Sequence, residues 1–183
     1  MKISGKFVYL KSLRLNDSFF IFKLRQNKLI SYYLHKPPKT LNDQKSWIKK
    51  NMKNSTTKDF VIIDKKNHKK IGTIGFNNLN TNSAEWGRWI SKGHTIQNIE
   101  AIVLLLNYGF NKLKLKKIYS LTNVYNKKVI NFHKNTPATY NGIIKSIFLI
   151  NNKKIDAVKY SFNKMKFLDF KKNFDFMTLS IRL

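Results

Sequence analysis

The sequence predicts an α+β fold on a mixed, mostly antiparallel sheet. Strand and helix signals follow in the order β, α, α, β, β, β, α, β, α, β, β. Consecutive apolar runs in the first half are joined by short polar turns such as KKNHKK, as antiparallel neighbours are. One long helical run then separates two strands, as a parallel crossover requires, and a final pair of strands forms a hairpin.

Residues 7–10 read as a short strand. Residues 17–26 read as a helix capped by Asn16 or Asp17, with Phe19, Phe20, Phe22 and Leu24 as apolar content. His35-Lys36-Pro37-Pro38 must break regular structure, because proline lacks an N–H and restricts the residue before it. Thr40 opens a second helix, LNDQKSWIKKNM, with Trp47 and Ile48 on its inner face. Residues 60–63 and 71–76 form a hairpin, and Gly72 and Gly75 imply a bulge or close backbone approach. In the next strand, residues 85–90, alternation places Glu85, Gly87 and Trp89 on one side and Trp86, Arg88 and Ile90 on the other.

Residues 99–113 carry the strongest helix signal: Ile102, Leu105, Leu106, Phe110 and Leu113 recur at helical spacing. A strand at 116–122, a short helix at 126–134 and strands at 143–150 and 155–162 around NNKK follow. After Lys164 the apolar residues have no clear period, which leaves a capping helix, an extra strand or a dimer contact open. No repeat or linker divides the chain, so residues 1–166 are expected to form one domain and 167–183 its C-terminal extension.

Composition narrows the classes. There is no cysteine, which excludes disulfides, zinc–thiolate sites and thiol nucleophiles, and the histidines show no metal-ligand spacing; His35 and His68 fall in loops. No apolar run is long enough to span a bilayer, and the N-terminus shows no signal peptide, so a cytoplasmic protein is expected. The net charge of +27 invites a nucleic-acid reading. However, the basic residues are 32 Lys and only 4 Arg, accompanied by 22 Asn and spread along the chain. Readers of phosphate and base edges favour arginine. The charge is better read as compositional drift of an AT-rich genome than as a nucleic-acid site, although it can assist an anionic substrate.

Glu85 and Glu100 are the two glutamates of the chain, and both lie in the segment between Ile71 and Asn135. Further markers accompany them: Leu24-Arg25-Gln26-Asn27, Trp47, Ile71-Gly72-Thr73-Ile74-Gly75-Phe76, Ala84-Glu85-Trp86-Gly87, Glu100-Ala101-Ile102, Tyr108-Gly109-Phe110, Leu113 to Ile118, Asn126, and Lys154-Ile155-Asp156-Ala157. In this order and spacing the chain resembles the GNAT acetyl-CoA-dependent N-acetyltransferases over roughly residues 6–166. It looks most like the branch holding ribosomal-protein N-terminal and nucleotide-amino-sugar acetyltransferases.

The resemblance implies a V-shaped splay between two central strands, with helices on both faces and acetyl-CoA in the gap. Backbone N–H groups near Trp89 and Ile90 would pair with the pantetheine and polarise the thioester. Gly93, His94, Thr95, Ile96, Gln97 and Asn98 would form the pyrophosphate loop at a helix N-terminus. Relatives carry two or three glycines in this loop, whereas this chain has Gly93 alone. A non-catalytic binding protein on the same fold is therefore the alternative to an enzyme.

Glu85 is the candidate general base, its pKa raised by burial beside Trp86 and Trp89; the alternative is an ion pair with Arg88 or a lysine. Glu100 is expected to favour the start of its helix. His133 stands where relatives carry a tyrosine that protonates the departing thiolate. Asn126 would bond the pantetheine or cap its own helix, and Pro137-Ala138 replaces the Gly-Phe that usually follows. Arg25, Asn27 and Trp86 are assigned to the acceptor side. The expected acceptor is a small-molecule amine, first a nucleotide-linked amino sugar and second a ribosomal-protein N-terminus. No metal is implied, and a homodimer is compatible. An RNA-binding module rests on charge alone.

Overall fold

In the computed structural model, which describes residues 1–180 with side chains to residue 175, the chain opens with β1 (Lys2–Ser4) and β2 (Val8–Ser12). A 3-10 turn at Leu15–Asp17 leads to α1 (Ser18–Gln26), α2 (Lys28–Ser31) and α3 (Leu41–Met52). Next come β3 (Lys58–Asp64), β4 (Lys70–Asn77), β5 (Ser83–Ser91) and α4 (Thr95–Asn107), the last running on into a π turn at Tyr108–Lys112. Then follow β6 (Lys117–Asn123), α5 (Lys127–Lys134), β7 (Thr139–Ile150), β8 (Lys153–Phe162) and α6 (Lys164–Ser180). The eight strands form one sheet in the order β1-β2-β3-β4-β5-β6-β8-β7, antiparallel except for β5 beside β6. The expected α+β fold is thus present, with helices on both faces.

α1 and α3 cover one face, closing over Leu13, Ile21, Ile48, Val61 and Ile63. α4 and α6 cover the other, where Leu10, Ile62, Ile74, Phe76, Ile102 and Leu106 form the larger core. The segment after Lys164 is a helix whose Phe167, Phe170 and Phe174 join that core, and Phe167 stacks on Phe110 at 5.3 Å. Residues 181–183 of the expected extension lie outside the described residues. The β7–β8 hairpin turns on Asn151 and Asn152, both with positive φ (49° and 61°), the chemistry a tight hairpin favours.

Two expectations need correction. Ile48 of α3 is fully buried, but Trp47 is 45% exposed and faces a cavity instead of the core. Along β5, Gly75 pairs with Gly87 and Thr73 with Ile90, so Arg88 and Trp89 both stand opposite Ile74. This bulge, with Arg88 at φ 48°, resets the alternation. Glu85, Gly87, Arg88 and Ile90 therefore face α1 and α3, while Trp86 and Trp89 share the α4 and α6 face.

Glu100 has a role its sequence position did not show. It lies beyond the first turn of α4, buried, and its carboxylate accepts from the backbone N–H groups of Lys6, Phe7 and Val8 at 2.6, 2.7 and 2.7 Å. A Cβ at Gly5 would come within 2.5 Å of that carboxyl carbon, so glycine there makes room for the clamp. Charge-assisted bonds of this kind are strong, and a buried N–H left without one is costly. Glu100→Ala is expected to destabilise the fold by about 3 kcal/mol, lowering the midpoint of thermal unfolding by roughly 6–12 °C. A midpoint unchanged in a circular-dichroism melt would contradict this.

Candidate active site

The parallel pairing of β5 with β6 is short: it registers Ser83 with Lys117, Ala84 with Ile118 and Glu85 with Tyr119. Beyond it each strand stays in its other ladder. β5 pairs with β4 as far as Ser91, and β6 pairs with β8 as far as Asn123 and Ala157. The sheet splits at this point, leaving a gap between Trp86–Ser91 and Ser120–Asn123 with a face on either side.

On the α4 and α6 face the gap is lined by rings. His133, on α5, is 1% exposed and lies flat on Tyr160, centroids 4.8 Å apart at 7°. Trp86 meets His133 edge-on at 5.5 Å, and Trp89 stands 6.2 Å from both Trp86 and Phe132. His133 Nε2 is 3.0 Å from Ser120 Oγ. Burial in this cage lowers the His133 pKa to about 4. The ring is therefore neutral at pH 7, not the imidazolium that the sequence suggested would hand its proton to a thiolate.

Residues 92–94 link this strand to α4, so the helix N-terminus sits at the open end of β5. Ser91 Oγ accepts from Gly93 N–H at 3.0 Å, and Gln97 Oε1 accepts from His94 N–H at 3.0 Å. Asn98 donates from Nδ2 to Gly93 O at 2.8 Å. A Cβ at Gly93 would meet Ile71 at 2.8 Å, so the one glycine of the loop serves close packing against β4. The first-turn N–H groups of Thr95 and Ile96 remain for an anion. Asn126 Oδ1 caps α5 by accepting from Val129 N–H at 3.3 Å.

On the opposite face Glu85 lies at the vertex of the split, half-buried, accepting from Asn78 Nδ2 at 3.0 Å. Burial raises its pKa above the usual carboxylate range, only partly offset by Asn78, Arg88 and Lys159. Tyr119 is its strand partner, and Lys159 lies over the Tyr119 ring at 4.6 Å. Arg88 does not pair with Glu85: its guanidinium bonds Asp59 Oδ2 at 2.7 Å and Asn51 Oδ1 at 2.5 Å, beneath the Trp47 ring.

Beside this group opens a cavity of about 550 Å³ between the sheet and α1 and α3, a size suited to a small ligand. Arg25, Lys36 and Arg88 line it against Asp43 and Asp59. Arg25 donates to His35 O at 2.5 Å, and burial lowers its pKa. Asp59 Oδ2 is bonded to Arg88 and Asn51 while its Oδ1 has no partner, and Asp43 accepts from the Thr40 N–H that starts α3, at 2.8 Å.

Of the residues singled out in the sequence, Arg25 does line the cavity. Asn27 is taken up capping α2, accepting from Leu29 N–H at 3.0 Å. Trp86 is buried on the far face, which corrects its assignment to the acceptor side. Asp59, Asn51, Asn78, Tyr119 and Ser120 were not anticipated. For Asp59 a signal existed, since alternation along Asp59-Phe60-Val61-Ile62-Ile63 puts it on the α1 and α3 face with Val61 and Ile63. Among the described residues, six buried side-chain polar atoms lack a partner: Asp59 Oδ1, Asn77 Oδ1, Trp86 Nε1, Trp89 Nε1, Asn98 Oδ1 and His133 Nδ1. All belong to the gap, the start of α4 or the cavity wall. Such atoms are rare in folded proteins unless a ligand or water meets them.

Known proteins bear on this geometry. Residues 8–136 match the Acetyltransferase (GNAT) domain family. Over 165 residues the chain is 24% identical to the spermidine N(1)-acetyltransferase of Vibrio cholerae, spanning 87% of this chain and 95% of that one. Its fold is shared by a solved mutant of the Vibrio cholerae spermidine N-acetyltransferase, with TM-score 0.74, 24% identity and coverage of 90% and 98% of the two chains. FdhC, described as a nucleotide-linked sugar GNAT, is similar with TM-score 0.77, 24% identity and coverage of 96% and 97%. A GCN5-related N-acetyltransferase from Brucella melitensis reaches TM-score 0.84 at 17% identity, with coverage of 96% and 84%. The split between β5 and β6 and the family match agree: the chain belongs to the GNAT acetyltransferases, which transfer an acetyl group from acetyl-CoA to an amine.

Proposed function

We propose that this N-acetyltransferase acts by direct attack of a primary amine on the thioester, with the donor in the β5–β6 gap and the acceptor in the α1–α3 cavity. Glu85 is the base. It stands at the vertex of the split on the cavity face, with a neutral amide as its hydrogen-bond partner and a pKa raised by burial. An incoming ammonium must lose a proton before it can attack, and a carboxylate tuned upward accepts it more readily. The first-turn N–H groups of α4 suit the pyrophosphate of the donor.

For the acceptor we favour an amine on an anionic carrier, as in a nucleotide-linked amino sugar. One observation supports this most: Arg25 and Lys36 line the cavity in addition to the Arg88–Asp59 pair, and the further carboxylate, Asp43, holds the start of α3. A polyamine would find at Asp59 a carboxylate already beside the Arg88 cation, which leaves little to replace its lost hydration. The second reading, spermidine, rests on the relative from Vibrio cholerae, and a protein N-terminus is a third. Release of free CoA thiol should be followed with acetyl-CoA and each acceptor class in turn. Nucleotide-linked amino sugars are expected to give the highest kcat/KM. A higher value for spermidine or an N-terminal peptide would overturn the preference, and turnover with none would favour a non-catalytic GNAT-fold binding protein.

The role of Glu85 has its own test. kcat/KM should rise with pH through the Glu85 ionisation, because the base works only when deprotonated, and its raised pKa shifts that limb upward. Glu85→Gln is expected to lower turnover by about a hundredfold and to remove the limb; an unchanged profile would exclude it as base.

His133 adds a dependence of stability on pH. Its folded pKa of about 4 lies below the ordinary 6.5, so between these values the unfolded chain binds a proton that the folded chain does not. The stability contributed by the neutral ring is complete above about pH 6.5 and is lost as pH falls towards 4, by about 3 kcal/mol in total. His133→Gln should flatten that part of a denaturant-unfolding series against pH, and an equal slope in both proteins would refute the assignment.

A further inference from the structure

Three of the unpartnered buried atoms belong to neighbouring rings beside the gap: Trp89 Nε1, Trp86 Nε1 and His133 Nδ1. Their rings are successive neighbours, at 6.2 and 5.5 Å. Indole nitrogen can only donate, so two of the three are donors by chemistry. The third depends on which nitrogen of His133 carries the proton.

Ser120 decides this. A serine hydroxyl has one proton to give, and His133 Nε2 at 3.0 Å is the hydrogen-bond partner the structure supplies for it. If Ser120 donates to Nε2, the buried hydroxyl is satisfied and the ring proton must sit on Nδ1. If Nε2 carried the proton, the hydroxyl would accept it, and its own hydrogen would be buried without an acceptor. Both residues are nearly inaccessible, so water does not readily make up the loss.

We propose that Ser120 is a positioning residue that holds His133 as the neutral Nδ1–H tautomer, adding a third N–H donor for the acyl donor to those of Trp86 and Trp89. This rests on the acetyl-transfer reading. A ligand meeting three donors must offer acceptors, and the carbonyl oxygens and sulfur of an acyl thioester arm do so. His133 would stabilise the departing sulfur by a hydrogen bond from a neutral ring as negative charge collects there. The flat contact with Tyr160 and the edge of Trp86 fix the ring plane, which leaves Ser120 to choose the tautomer.

The test is nitrogen NMR of protein labelled with 15N-histidine, in which the His133 signals are identified by their loss in His133→Gln. The wild type without ligand should show a protonated Nδ1 and a bare Nε2; a protonated Nε2 overturns the proposal. Ser120→Ala should give a mixture of tautomers and Ser120→Thr should restore the wild-type pattern. In turnover, Ser120→Ala should lower kcat about tenfold with little change in the KM for acetyl-CoA, and Ser120→Thr should recover it. Ser120→Ala with unchanged kcat, or Ser120→Thr no better than alanine, would refute the positioning role. Saturating acetyl-CoA should shift the Nδ1–H resonance; binding seen elsewhere without that shift would refute the donor role. Failure to bind acetyl-CoA at all would sink the transfer reading and the donor role together, while the tautomer of the free protein would still report whether Ser120 sets it.

Discussion

The structure depends on where the parallel pairing between β5 and β6 stops. Extended further, the two strands would satisfy one another and the sheet would be closed. Instead each strand keeps its antiparallel partner while they lose each other after Glu85 and Tyr119. The bulge at Arg88 and Trp89 belongs to this arrangement, since an extra residue bends and twists the strand carrying it. It also sorts the side chains: both tryptophans turn towards α5, and Arg88 turns towards the cavity. One irregularity thus opens the gap and gives its two faces different chemistry, an aromatic wall of donors on one side and a charged chamber on the other.

Carboxylates are scarce in this chain, and their placement is informative. Asp17 pairs with Lys70 at 2.6 Å, Asp59 with Arg88, and Asp156 with Lys145 and the Ser146 N–H. Asp43 and Asp64 accept backbone N–H groups at a helix start and a turn, and Glu100 clamps a loop. Each of these is tied to a cation or to backbone N–H groups of the fold. Glu85 stands at the vertex of the split, accepts from the neutral Asn78 amide, and has a pKa raised by burial, as Asp59 does beside Arg88.

The order of elements and the crossover were legible from periodicity, because the long amphipathic run at Ile102 to Phe110 and the apolar strands beside it carry strong local signals. α6 was not, because Phe167, Phe170 and Phe174 lie among lysines and its helical period is weak; the core that receives them is made by distant segments. The site was legible in part. Arg25, placed by the family resemblance, lines the cavity, and Glu85 lies at the vertex, but the sidedness of β5 was misread, because alternation cannot reveal a bulge. Ser120 and Asp59 gain their meaning only from partners such as His133 and Arg88, which the sheet brings to them.

The clamp formed by Glu100 also carries a consequence for how the chain is made. The backbone it holds lies 92 to 94 residues earlier, at the very first turn. A chain emerging from the ribosome exposes that turn long before its carboxylate has been synthesised. Closing so long a loop costs entropy that the three hydrogen bonds must help to offset. The opening hairpin can pair with β3 once that strand is made, but the turn between β1 and β2 gains its carboxylate only when α4 arrives.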